Sequence, residues 1–569
     1  MKNSTLKKIL QPQVLILLIF FLGFFLRVVS LDKNPPELFG DELDAGYQAY
    51  SLLKTGRDYK GNLFPSYLQS FSEWRAPLLM YTSIPFIAIA GLNEYGVRLP
   101  SVVFGSLTIL LLYYLVSCLT KNKKLALLSA FFLAASPWHI QYSRAAFEAA
   151  LMLFLIIAGI IVFLRASHTK KLKTSALAGI IFALPLYTYN TANIFVPLIA
   201  ALICFLFVSF SKQKKQIITA VIAFLAVSLP LAINILFGHA ADRFSNFSIF
   251  GNQEIIEKIN LMRTSPHINP FIESIFSNRP VEWTKRIVQN YAAAFSPQFL
   301  FINGDVTFRH SLHQVGQLFW FQLPLLLTGV FFALKNYRKK ENLFWLGWLL
   351  LAPIPASLTI DGSYHATRLI FMVIPLMVLS ACGGLIIIKT LTNLSKKRLF
   401  PVKLLAFLII LIPAMEFLNY QNYYWKHYPL DSWRWWHYGY KEAITSLTPL
   451  EENFDQVIIE TTYEPALIRY LFWARYDPRK NFQIDDRLKT SAVDGLTGFC
   501  LNEKVCFVDF GGSFEKEQIK PNTLYLISQE RNVPGDWDWS KDPPDWVKVI
   551  KTIKNPWEEP IFYLVAIKD

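Results

Sequence analysis

The sequence predicts a polytopic all-α membrane bundle of about eleven spans, followed by a small α/β domain. Three observations carry this reading. Of the 569 residues, 53% are hydrophobic, 15% aromatic and only 17% charged, and the mean hydropathy is positive, which is the composition of a membrane protein. Apolar windows near the roughly 20 residues needed to cross hydrocarbon recur from residue 13 to about 425 and then stop. The formal net charge of +15 is concentrated in short loops between these windows.

The predicted spans are 13–31, 98–119, 125–142, 146–165, 175–189, 192–211, 217–237, 314–335, 343–359, 368–389 and 402–423. The first follows a tail bearing Lys2, Lys7 and Lys8. Its long apolar run lacks a small-residue cleavage site and reads as an uncleaved anchor. The basic clusters are KNKK (121–124), HTKKLK (168–173), SKQKK (211–215), KNYRKK (335–340) and SKKR (395–398). With the amino terminus inside, all fall on the cytoplasmic face, as the positive-inside tendency requires. That distribution argues against nucleic-acid binding. It places residues 32–97, the turns near 143 and 190, the loop 238–313, the turn 360–367 and the tail from about 425 outside.

In the first external loop, Leu43, Tyr47, Tyr50 and Leu53 or Lys54 recur at helical spacing, predicting a short interfacial helix that Gly56 and Gly61 end. A second interfacial or re-entrant helix is expected around Pro85, where the apolar run is short for a span. The 238–313 loop carries His239, Arg243, Arg263, His267, Arg279, Lys285, Arg286, His310 and His313. A loop of that size reads either as a lid over a site or as an inert insertion. The aromatic stretch YWKHYPLDSWRWWHYGYKEA suits a membrane–water boundary. Beyond it, DQVIIET, VCFVDFG, NTLYLISQ, WVKVIKTIK and IFYLVAI read as strands and YEPALIRYLFWARYDP as a helix. The expected division is a transmembrane module, 1–425, and an extracytoplasmic α/β domain, 426–569. Cys118, Cys204 and Cys382 lie in spans. Cys500 and Cys506 could bridge a tight hairpin if the compartment is oxidising.

Four places could carry chemistry. GDELD supplies Asp41, Glu42 and Asp44 where the chain leaves the first span. Asp41 as N-cap with Asp44 at the third helical position would make an acidic capping box; alternatively, a carboxylate there would take a proton from an acceptor hydroxyl. Both readings stand. Arg144 and Glu148 are four apart, placing them on one helix face. Glu148 borders an apolar run where a charge costs roughly 2.5–3.5 kcal/mol at mid-membrane and needs a partner or a task. His365 and Arg368 sit just outside the tenth span, and Arg75 and Arg98 flank the re-entrant segment. Arginine forks suit phosphate, although interfacial cations also serve as anchors. No His/Cys cluster has the spacing of a structural zinc site.

GDELDAGYQA, PLLMYTSIPFIAIAGLNEYGVRLPSVVFG, SPWHIQYSRAAFE and HATRLIFMVIP resemble the bacterial GT-C glycosyltransferases related to protein O-mannosyltransferases and lipid A aminoarabinose transferases. The resemblance covers about residues 10–425. It implies inverting transfer of a mannose- or aminoarabinose-like sugar from a polyprenyl-phosphate donor to a protein, lipid or glycan acceptor, outside a bacterial inner membrane. It also implies Asp41 as base or acceptor-orienting carboxylate, Glu42 as its neighbour and Glu148 as an approximate match to a second acidic position. Arg144, His365 and Arg368 would face the donor phosphate, with Arg75 and Arg98 as further candidates. No metal or other cofactor is required, although a divalent cation is compatible. The rival readings are a lipid or sugar transporter, which would need broken polar helices near the midplane, and a non-catalytic envelope assembly protein.

Overall fold

A computed structural model describes residues 11–70, 74–238, 247–264, 270–396, 402–482, 492–493 and 495–568. His239, Arg243 and His267 of the long loop lie outside the described residues. The chain forms two compact units. The first contains the opening helix, Ser66–Leu79 and Leu99–Tyr424; the second contains Ser30–Pro65, Met80–Arg98 and Trp425–Asp569.

The first unit is helical. Among the described residues, four apolar runs reach spanning length: Glu94–Thr120, Glu148–Thr169, Ser211–Phe237 and Ile370–Leu394. Shorter apolar helices cover Pro12–Val28, Leu78–Ala90, Leu172–Tyr187, Ala192–Phe207 and Gln322–Lys335. The helices Gln322–Lys335 and Val373–Lys396 approach backbone to backbone through glycine. A Cβ on Gly329 would lie 1.9 Å from the Leu379 carbonyl oxygen, and one on Gly383 would lie 1.8 Å from that of Leu325. In an apolar solvent, packing of this kind replaces the hydrophobic drive.

The span expected at 125–142 is two helices, Lys123–Ala135 and Pro137–Arg144. Ser136 is extended and its hydroxyl accepts from His139 N, while Pro137 takes the first helical position; both choices stop one helix and start another. The 238–313 region is helical where an irregular loop was expected. It forms Gln253–Arg263, Pro270–Phe276 and Arg279–Ala293. The last of these clasps the 357–363 turn. Asn290 Nδ2 donates to the carbonyls of Ser357 and Thr359, Arg286 donates to Ile360 O, and Ser363 Oγ donates to Asn290 Oδ1. Beneath it, Lys258 and Lys285 both reach the buried Glu282 at 2.7 Å.

The second unit is built on a seven-stranded mixed sheet. Its strands are β1 (Gln456–Glu460), β2 (Ala492–Val493), β3 (Leu496–Cys500), β4 (Val505–Asp509), β5 (Thr523–Ser528), β6 (Val547–Lys554) and β7 (Pro560–Ile567), in the order β2-β3-β4-β1-β5-β7-β6. Central β1 runs parallel to β4 and β5, and the remaining pairs are antiparallel. Strands β4 and β5 carry near-continuous buried runs, as strands covered on both faces do. Cys500 and Cys506 are disulfide-bonded across the β3–β4 hairpin.

The predicted first-loop helix is Gly40–Thr55, ended by Gly56 at φ 68°. It belongs to the second unit and is buried from Glu42 to Ala49. It therefore does not present to solvent the broad polar face of an interfacial helix. Gly46 admits the Val97 and Phe472 side chains, which would stand 2.5 and 2.7 Å from a Cβ at that position.

Candidate functional site

In the second unit, the GDELD carboxylates diverge. The N-cap of Gly40–Thr55 is Phe39, without a side-chain cap, so Asp41 is the second helical residue and no capping box forms. Asp41 is exposed and lies in the first turn, where the helix dipole favours negative charge. Asp44 is buried and accepts from Tyr59 OH at 2.8 Å.

Glu42 and Arg98 form an ion pair with fully buried side chains, 2.8 Å apart. Arg98 grips it bidentately and donates further to the carbonyls of Leu31, Pro35 and Glu37. Those five bonds match the five N–H donors of a guanidinium. Arg98 thereby ties the loop before the helix to its first turn, a different position from the expected one facing a phosphate. Its guanidinium also lies 5.6 Å from the Trp436 ring. Glu37 was missed in the sequence. It is buried and accepts from Gly439 N and Lys441 N, both at 2.6 Å, and burial pushes its carboxyl up to about 8.

In the first unit, SPWHIQYSR forms a set of reciprocal caps. Arg144 donates to Leu26 O and Val29 O, at the C-terminal end of Pro12–Val28. Arg27, on that helix, donates in return to Leu133 O and Ala134 O, at the end of Lys123–Ala135, and to His139 Nδ1 at 2.8 Å. Orphan carbonyls at helix ends are thus met by guanidinium groups. Arg27 had a sequence signal, a lone cation inside an apolar run, which is a functional or structural marker by default.

Arg144 and Glu148 do not share a helix. Pro137–Arg144 ends at an extended Ala145, and a new helix starts at Glu148 after an extended Phe147. Glu148 is its first residue and is half-buried. The same-face relation inferred from spacing four therefore fails, because residues 145–147 break the helical period.

His365 is brought into a cluster with residues some sixty positions earlier. Tyr142 OH bonds to Thr367 Oγ1 at 2.7 Å and to His310 Nδ1 at 3.0 Å, and its ring stacks on His310 at 9°. Gln141 Nε2 donates to Arg309 O, Trp138 Nε1 to Ala366 O, and Ala366 N to Asp305 Oδ2. The His310 ring lies 5.1 Å from Phe147 and 5.4 Å from His365. Asp305, His310 and His365 each present a ligand atom within 4.8 Å of the others, a cluster the sequence reading did not contain. Arg368 is buried, paired with Asp361, and stands 5.3 Å from the Phe247 ring. Arg75 is buried on a two-stranded pair, opposite Leu68.

Helical bundle and mixed sheet together have the fold of the GT-C membrane glycosyltransferases. Residues 75–233 match the family model described as dolichyl-phosphate-mannose-protein mannosyltransferase. ArnT from Cupriavidus metallidurans bound to undecaprenyl phosphate superposes with a TM-score of 0.53 at 10% identity, covering 97% of each chain; its apo form gives 0.51 at 11%. The Archaeoglobus fulgidus oligosaccharyltransferase tethered with an acceptor peptide gives 0.51 at 14% identity, covering 81% of this chain. This chain spans 63% of that oligosaccharyltransferase. No curated protein matches by sequence. The fold is thus that of the GT-C enzymes, and residues 75–233 match a protein-mannosyltransferase family model, in keeping with the resemblance carried by the motifs.

Proposed function

We propose that this protein is an integral-membrane glycosyltransferase that moves a sugar from a polyprenyl-phosphate donor to an acceptor on the extracytoplasmic side. The observation that carries this reading is the divergence within GDELD. Glu42 and Asp44 are buried, whereas Asp41 is exposed at a helix N-terminus. The ArnT fold, seen in a relative bound to undecaprenyl phosphate, and the protein-mannosyltransferase match support a lipid-linked donor. The Cys500–Cys506 bridge supports an external tail, since disulfides persist in oxidising compartments. Amino terminus inside, about eleven spans and a bacterial inner membrane complete the topology proposed.

In the proposed reaction, Asp41 takes the proton of an acceptor hydroxyl. The acceptor oxygen bonds to the anomeric carbon from the face opposite the phosphate, so configuration inverts. The C–O bond to the lipid phosphate breaks and its electron pair leaves with the phosphate. Because the leaving group is already good, positioning and charge neutralisation supply most of the catalysis. In the first unit, we assign Glu148 to acceptor orientation and Arg75 and Arg368 to the donor side. Glu42 and Arg98 become the frame of the turn that bears Asp41, and Arg144 becomes part of the frame of the first unit. Mass spectrometry of envelope glycans with and without the protein tests this reading: one glycan class should lose a single sugar type, and an unchanged glycan profile would contradict it.

A further inference from the structure

The transfer reaction has no need for the three groups that meet where the loop after Ile302 faces the turn before Ile370. Asp305 is buried and His310 and His365 are half-buried, and their ligand atoms lie within 4.8 Å of one another. We propose that Asp305, His310 and His365 bind one divalent transition-metal ion of the zinc class, which staples the 303–313 loop to the 360–368 turn.

The donor set selects the metal. Two imidazoles and one carboxylate suit zinc and its borderline neighbours, whereas magnesium and calcium take mainly oxygen ligands and more of them. Zinc bonds of about 2.0–2.2 Å in a tetrahedron place ligand atoms about 3.4 Å apart. The cluster therefore needs to contract by an ångström or so, within reach of small side-chain rotations. Three protein ligands leave the fourth position to a water or another oxygen.

The surroundings orient these ligands as outer-shell partners do in metal sites. His310 Nδ1 hydrogen-bonds Tyr142 OH at 3.0 Å, and Tyr142 OH hydrogen-bonds Thr367 Oγ1 at 2.7 Å. With the proton on Nδ1, directed at Tyr142 OH, the other ring nitrogen is the one left for the metal, and the near-parallel stack on Tyr142 sets the ring plane. Asp305 Oδ1 accepts from Thr307 N and Oγ1, at 2.9 and 3.1 Å, and Oδ2 accepts from Ala366 N at 2.7 Å. Each carboxylate oxygen is positioned, and the group retains lone-pair capacity for an ion. The rival reading is an aspartate that only shapes its own turn, beside two neighbouring histidines with tilted rings.

Metal content separates the two without any measurement of transfer. The full chain would be produced with added zinc, purified in detergent through a histidine-free tag and washed with a weak chelator. Elemental analysis should find about one zinc per chain, and His310→Gln and His365→Gln should each lower it roughly tenfold or more. His168→Gln, at an exposed position far along the chain, should leave the zinc content unchanged. Asp305→Asn also removes turn bonds, so the two histidine variants, checked for monodispersity, carry the test. Cobalt added to the stripped protein should give the visible absorption of a four-coordinate ion. Background zinc in the unsubstituted chain, or equal zinc in it and both histidine variants, overturns the proposal.

Discussion

At the scale of residues, the neighbouring acids of GDELD separate into distinct tasks. Glu42→Gln leaves the Arg98 guanidinium buried without its counter-charge, a change that typically destabilises by about 3–5 kcal/mol. Thermal unfolding in detergent should show a large loss for Glu42→Gln and, for exposed Asp41→Asn, a change within roughly 0.5 kcal/mol. The sequence could not separate them. Both acids follow the same glycine, and only the fold shows that Arg98, fifty-six positions later, pairs with Glu42. A second titrating acid lies in the sheet. Glu460, at the end of β1, accepts from Thr462 N and Asn532 Nδ2, and burial pushes its carboxyl up to about 7. A raised folded pKa favours the protonated form. Its contribution is therefore fully present below about pH 4.5 and is lost as pH rises through about 7, a change on the order of 3 kcal/mol. Infrared difference spectra should show a protonated-carboxyl band that titrates near pH 7 and is missing from Glu460→Gln.

At the scale of elements, local signals were legible where one short segment held all the information. Gly56 ended the first-loop helix as expected from its left-handed conformation. Alternating and continuous apolar runs located β1 and β4 to β7, whereas β2 and β3 were not named from the sequence. Pattern failed where a single polar residue reset the backbone. Ser136 with Pro137, and the extended 145–147 link, divided what reads in sequence as one span and one helix face. The 238–313 region reads as one long loop rich in polar and aromatic residues; helices form there instead, held in part by polar anchors such as Asn290 and Glu282. The Cys500–Cys506 bridge closes a short hairpin, and chain-entropy arithmetic for a loop of about seven residues gives only about 2 kcal/mol. A Cys500→Ser, Cys506→Ser double variant should therefore keep its fold and lose about that much in a denaturant titration of the sheet. Thiol labelling of the protein taken directly from cells should leave both cysteines unmodified until a reductant is added.

At the scale of the whole molecule, composition and charge alternation made the class legible, while long-range assembly stayed hidden. Apolar windows showed a membrane bundle, and the change near residue 425 marked the sheet. Nothing local showed that residues 30–65 and 80–98 belong to the same compact unit as the tail. Glu37 illustrates why, since its partners Gly439 and Lys441 lie four hundred residues away. The grouping of Asp305, His310 and His365 was hidden for the same reason. The central claim is that Asp41 acts on an acceptor while a sugar leaves a lipid phosphate. Its most direct test is turnover by the purified protein in lipid nanodiscs, supplied with a synthetic polyprenyl-phosphate sugar and an envelope acceptor fraction. The unsubstituted chain should transfer sugar and release polyprenyl phosphate, and Asp41→Asn, equally stable, should be slower by about 10²–10⁴-fold. Unchanged turnover in a folded Asp41→Asn variant, or transfer from a nucleotide sugar in place of the lipid donor, would contradict the account.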